Sequence, residues 1–183
     1  MESDQKKILI INGSIRGNRG NSGALAKIAE ALITSNLAAT ASIIHLAEPK
    51  PSIKEVYDLL TRSDGFLIVT GTYWNNWGSP LQRFIEVATA FENSPAFFGK
   101  PLACAITMDS VGGVEVAARI QAVFSGLGCW SPPCSTVVIS RVGQEAILAS
   151  KEQMEDANED VWRVTDLNII LKNLITATTL PNK

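Results

Sequence analysis

The stretch KKILIINGSIRGNRGNSGALAKIAEALITSN, residues 6–36, decides the fold. It opens with a short, solidly apolar run ending in Gly13, and such a run suits a strand covered on both faces, as in a parallel sheet. From Gly23 the pattern changes period, and Ala24, Leu25, Ile28, Leu32 and Ile33 recur at helical spacing. Between them lies NGSIRGNRGNS, residues 12–22, rich in Gly, Asn, Ser and Arg. Strand, glycine-rich loop and helix in that order form the first half of a βαβ unit.

The same alternation continues outward. The pattern predicts strands over 39–46, 65–71, 100–108 and 133–140. Helices are predicted over 52–63, 79–93, 114–128 and 160–179, with helical character from Gln144 onward. Ser52 with Glu55 reads as a capping box, Ser79–Pro80 as an N-cap followed by proline at the first helical position, and Gly128 as a stop. Short strands alternating with longer helices give a parallel sheet with helices on both faces and right-handed crossovers. There is no repeat period and no linker, so residues 1–183 are expected to form one domain. In such sheets ligands bind at the carboxyl ends of the strands, near the switch point. That singles out the loops after strands one, three and four.

Composition removes several classes of function. The net charge of -2 offers no polyanion-binding surface, so no nucleic-acid partner is expected. Three cysteines, Cys104, Cys129 and Cys134, and a single histidine, His45, make neither a disulfide framework nor a zinc site. They do not suit a thiolate cluster either, and no metal is expected. The cysteines read as packed, His45 as a structural residue at a strand end, and 151–160 as a solvated acidic stretch. No run has the length of a signal peptide's apolar core or a membrane span, which predicts a soluble, cytoplasmic protein without a membrane partner.

The first loop feeds a helix N-terminus, where free N–H groups and the helix dipole favour an anion, and Arg16 and Arg19 can add charge-assisted contacts. It is not a Walker loop, since no Gly-Lys pair follows the glycines, and it lacks the dinucleotide fingerprint G-x-G-x-x-G. No acidic residue closes strand two. What remains is a terminal monophosphate. The second loop, TGTYWNNWGSP (70–80), brings Tyr73, Trp74 and Trp77 together, as a planar heteroaromatic ligand would require. The third, TMDSVGG (107–113), has two glycines that permit close backbone approach. No G-x-S-x-G elbow is present, and a Ser-His or Cys-His hydrolase would have to use His45. No catalytic side chain is therefore named.

Together the three segments resemble the NADPH-dependent FMN reductase family of flavodoxin-like proteins. The resemblance runs over roughly residues 6–140 and rests on Gly13, Ser14, Arg16, Asn21 and Ser22, on Tyr73, Leu81 and Glu86, on GKP (99–101), and on Gly112–Gly113. It implies a three-layer flavodoxin-like α/β sandwich with a five-stranded parallel sheet of order 2-1-3-4-5. It implies that Ser14, Arg16, Asn21 and Ser22 bind the FMN phosphate. Gly71, Thr72, Tyr73, Trp74 and Asn75 would line the isoalloxazine ring, with Thr107, Ser110, Gly112 and Gly113 on its far side.

The implied enzyme is an FMN-dependent NAD(P)H oxidoreductase. It would pass hydride from NADPH or NADH through bound FMN to a quinone, flavin or similar small acceptor. A homodimer or homotetramer is implied as well. Two features depart from the family pattern: Gly71–Thr72 stands where Pro-Glu is frequent, and the connection AEPKPS (47–52) is short. The second motivates an alternative, a flavodoxin-like electron carrier or flavin-binding regulatory module without nicotinamide turnover.

Overall fold

The apolar runs become five strands: β1 (Lys7–Asn12), β2 (Thr40–His45), β3 (Gly65–Gly71), β4 (Leu102–Met108) and β5 (Thr136–Ser140). The amphipathic segments become helices α1 (Asn21–Asn36), α2 (Ile53–Arg62), α3 (Ser79–Ala88), α4 (Gly113–Leu127) and α5 (Val164–Ala177). A helical turn follows β5 from Arg141. The molecule is known as a computed structural model that describes residues 5–37, 39–48, 52–143, 145 and 163–180. All neighbouring strands are parallel, in the order β2-β1-β3-β4-β5, as the family resemblance implies.

The two-residue period of the strands divides the core into two layers. Leu9, Ile11, Phe66, Ile68, Cys104 and Ile106 face one way, onto Val56 and Leu60 of α2, Leu81 and Phe84 of α3, and Val116 and Ile120 of α4. Ile8, Ile10, Leu67, Val69, Ala103 and Ala105 face the other way, onto Leu25, Ala29 and Ile33 of α1 and Leu167, Leu171 and Leu174 of α5. The result is a three-layer sandwich. All seven residues of β3 are buried, which explains why its sequence is uniformly apolar or small rather than alternating. The chain leaves β1 outward to β2 and then crosses back to β3 on the opposite side. A crevice therefore opens at the carboxyl ends of β1 and β3.

Several boundaries differ from the sequence reading. The capping box stands: Ser52 Oγ accepts from Glu55 N–H at 3.2 Å, and Ser52 N–H donates to Glu55 Oε2 at 2.6 Å. α3 is instead capped by Gly78, with Ser79 as its first residue, and it ends at Ala88 before a 3₁₀ turn, Thr89–Phe91. The reason is tertiary, since a Cβ on residue 78 would lie 2.7 Å from the Gly13 carbonyl oxygen of the first loop. β4 begins at Leu102 and β5 at Thr136, later than expected. Pro132 and Pro133 have no N–H to donate, and Cys134 turns the chain with φ 50°. The closing helix starts at Val164. The helical character expected from Gln144 and the acidic stretch 151–160 lie outside the described residues, Glu145 excepted.

Candidate functional site

The first loop is organised by the residue that ends β1. Asn12 is completely buried, its Oδ1 accepts from Ser14 N–H at 3.0 Å, and its Nδ2 donates to the Gly17 carbonyl at 2.8 Å. Those two bonds fix the amide's orientation, so Nδ2 is also the donor to His45 Nδ1, at 2.9 Å. His45 is thereby a structural acceptor at the end of β2. A short 3₁₀ turn, Gly17–Arg19, leads to Gly20, which caps α1 without any side-chain hydrogen bond. An uncapped helix start keeps its N–H groups available to an anion.

Ser22, in the first turn of α1, is buried, and its Oγ lies 2.8 Å from Thr107 Oγ1 at the end of β4. This pair ties the first turn of α1 to the end of β4 across the crevice. Gly23 is required by close approach, because a Cβ there would stand 2.6 Å from the Asn18 carbonyl carbon and oxygen. Gly23→Ala is expected to push the start of α1 off the loop, costing about 1–3 kcal/mol of stability. FMN affinity should fall with it, about tenfold or more. Parallel thermal melts and flavin titrations check this, and an alanine variant that binds FMN normally would mean the loop tolerates displacement.

The second loop is a tight hairpin. Tyr73 N–H donates to the Asn76 carbonyl at 2.7 Å and Asn76 N–H to the Tyr73 carbonyl at 3.0 Å. The two residues at its tip, Trp74 and Asn75, have φ of 50° and 56°. Positive φ at both central positions is the type I′ arrangement. Asparagine accepts it readily, whereas tryptophan rarely does, and such conformations cost of order 1–3 kcal/mol unless the surroundings hold them. The Trp74 side chain is fully exposed at the tip. Tyr73 folds back instead, with its hydroxyl 3.4 Å from Ser14 Oγ. The three aromatic residues of this loop therefore do not form one group. Trp77 is buried in the core beneath α3 and α4, with Nε1 donating to Gln82 Oε1 at 3.0 Å.

A cleft of about 370 Å³ lies at the carboxyl edge, within the range of about 300–1,000 Å³ usual for small-molecule sites. Its lining brings together Ser14, Arg16, Asn21, Ser22, Gly71, Thr72, Tyr73 and Thr107, joined by Met108, Asp109 and Arg141. Of the other residues expected to contact a ligand, Trp74, Asn75, Ser110, Gly112 and Gly113 lie outside this lining. Both glycines stand where other residues pack closely. Gly112, at φ 88°, lets Asn75 of the hairpin approach its Cα, and Gly113 lies under Val138 and Met108.

Met108 and Asp109 fall within the third loop. Arg141 lies outside the three loops that the sequence singles out, because it follows β5, and only its place at a strand's carboxyl end marks it. Its guanidinium pairs with Asp109 at 2.5 Å and with Glu145 at 3.5 Å. The hydrogen bond that Arg141 donates to Asp109 raises the guanidinium pKa further, so its charge is permanent.

The cysteines stand apart from the cleft. Burial pushes the thiols of Cys104 and Cys129 up to about 12, which leaves them without thiolate at neutral pH. Cys134 differs from the packed cysteine expected, as it is exposed before β5. Among the described residues, no group of three or more His, Cys, Asp or Glu is placed to hold a metal ion, and no helix is long and apolar enough to cross a membrane.

The donors in the cleft fit a phosphate monoester: an uncapped helix start, two buried serine hydroxyls and an exposed arginine, beside backbone and a tyrosine ring. The fold recurs in solved flavoproteins. An NADH:FMN oxidoreductase, EMOB, superposes with a TM-score of 0.73 at 18% identity, covering 98% of this chain and 92% of that one. FerB, a flavoenzyme NAD(P)H:(acceptor) oxidoreductase from Paracoccus denitrificans, gives 0.65 at 17% identity over 94% and 97% of the two chains. A flavodoxin from the domain Archaea gives 0.64 at 12% identity over 95% and 99%. No curated protein matches in sequence. Residues 6–144, which contain all three loops and every strand, match the NADPH-dependent FMN reductase family, and the chain belongs to that family.

Proposed function

We propose that the cleft binds FMN and that the chain uses it to carry electrons from NADPH or NADH to a small acceptor such as a quinone or a free flavin. The observation that carries this reading is the convergence of Ser14, Arg16, Asn21 and Ser22 with Gly71, Thr72, Tyr73 and Thr107 in one cleft. Ser14 and Ser22 hydroxyls, Arg16 and the first N–H groups of α1 hold the phosphate. The backbone of 71–75 and of 107–113 flanks the ring. Bound FMN would supply the two-electron redox chemistry. The protein's part is to bind and orient, and nothing in the cleft needs to serve as nucleophile or general base.

The purified chain should turn yellow on titration with FMN, and NADPH or NADH should bleach the flavin band without oxygen. FMN binding without bleaching by either nucleotide would replace the reductase reading with that of an electron carrier.

Self-association belongs to the same reading. A groove of about 320 Å³ between α2 and α3, lined by Leu46, Ile53, Phe84 and Val87, carries Arg83 and Glu86 at its edge. An apolar face bearing both charge signs can pair with an identical face across a two-fold axis. Light scattering on the eluted protein decides between dimer, tetramer and monomer.

A further inference from the structure

The hairpin 73–76 is held from outside. Arg119, on the exposed side of α4, reaches back across 44 positions of sequence to donate from Nη1 to the Asn75 carbonyl at 3.0 Å. Its Nη2 donates to Asn76 Oδ1 at 3.3 Å, and its guanidinium lies 4.9 Å from the Trp77 ring centroid. Asn76 Oδ1 also accepts from Trp77 N–H at 2.9 Å, so one guanidinium joins three consecutive residues of the loop. A flat, forked cation between an aromatic face and two acceptors is an arrangement that lysine cannot reproduce.

One of these contacts, to the Asn75 carbonyl, falls on the second of the two consecutive positive-φ residues, Trp74 and Asn75, where the backbone is least favourable. At the other end of the hairpin, Tyr73 meets Ser14 of the phosphate loop. A chain of direct contacts therefore runs from α4 through Arg119 and the hairpin to the cleft. Arg119 itself is absent from the cleft lining.

We propose that Arg119 is a positioning residue of the flavin site: it clamps the strained hairpin to α4 and so keeps Tyr73 and the backbone of 71–75 in place before the cofactor arrives. Pre-organisation of this kind strengthens binding because the ordering cost is met in the free protein. The proposal rests on the flavin reading of the cleft.

The test uses the full chain, with Arg119→Ala, Arg119→Lys and Asn76→Ala beside wild type. Two quantities are read: FMN affinity from quenching of flavin fluorescence, and amide hydrogen exchange at Tyr73 and Asn76 in FMN-free protein. Arg119→Ala should weaken FMN about tenfold and speed exchange at those two amides about tenfold, with exchange in the sheet unchanged. Arg119→Lys should recover little of either, and Asn76→Ala, which keeps the Trp77 contact, should give a smaller effect of the same kind. Unchanged FMN affinity in Arg119→Ala, or weakened affinity with unchanged exchange at the hairpin, overturns the positioning role while leaving the flavin site standing. A wild-type chain that ignores FMN overturns the flavin reading itself, whatever the hairpin does.

Discussion

Replacing Ser14 and Arg16 together by alanine is expected to weaken FMN binding about 100-fold, or roughly 2.7 kcal/mol. A charge-assisted hydrogen bond contributes about 1.5–3 kcal/mol and a neutral one about 0.5–1.5 kcal/mol, and the double variant removes one candidate of each kind. Arg16 is exposed, so its share should shrink as salt is added, while that of the buried Ser14 hydroxyl should persist. The helix start of α1 and Ser22 remain, which is why binding should be weakened rather than abolished. Stability should change little. Ser14 Oγ accepts only a 3.3 Å bond from Arg16 N–H and meets the Tyr73 hydroxyl, and both partners lie at the cleft. Fluorescence titration at two salt concentrations, with a thermal melt as control, checks each part. An unchanged affinity would place the phosphate elsewhere.

Phe97→Ala is expected to be the most destabilising single change considered, at about 4 kcal/mol. Phe97 is wholly buried in the turn between α3 and β4, and its ring makes edge contacts with Phe66 at 5.8 Å and Phe124 at 6.0 Å. It joins β3 to α4 beneath the sheet, and truncation would leave a cavity that three separate elements cannot close together. A domain of this size loses about 2–4 °C of Tm per kcal/mol, so a fall of about 12 °C is expected. Its neighbour Phe98 is 63% exposed, and Phe98→Ala should stay within about 0.5 kcal/mol. Calorimetry on both variants makes the comparison, and similar melting temperatures would mean the ring cluster contributes little. Phe66 lies at the start of β3, next to Gly65, whereas the cleft lies at that strand's other end, so FMN affinity at 25 °C should survive in both.

These two phenylalanines show where sequence reading stops. In PAFFGK they are adjacent and chemically identical, and only the positions of β3 and α4 decide which one is covered. The tryptophans of TYWNNWG repeat the lesson. Both read as ring-binding surface, yet Trp77 enters the core against Arg119 while Trp74 stands at an exposed tip. The α3 cap is a third case. Ser79–Pro80 looks locally like the usual start, but the carbonyl of Gly13 presses on position 78 and allows only glycine there, and the helix begins one residue earlier, capped by Gly78.

What the sequence determined by itself is the part written in near neighbours: five strands from their apolar and β-branched runs, the helices from their spacing, the Ser52–Glu55 cap, and a glycine-rich turn over 12–22 between a strand and a helix start. Those depend on period and on backbone groups a few residues apart. Only the tertiary structure decided that Arg141 lines the cleft, that Arg119 reaches the hairpin, and that Gly112 makes room for Asn75. The physical reason is that the burial and partners of a loop side chain are set by elements dozens of residues away. The crevice where β1 and β3 part exists only once the sheet has closed around it.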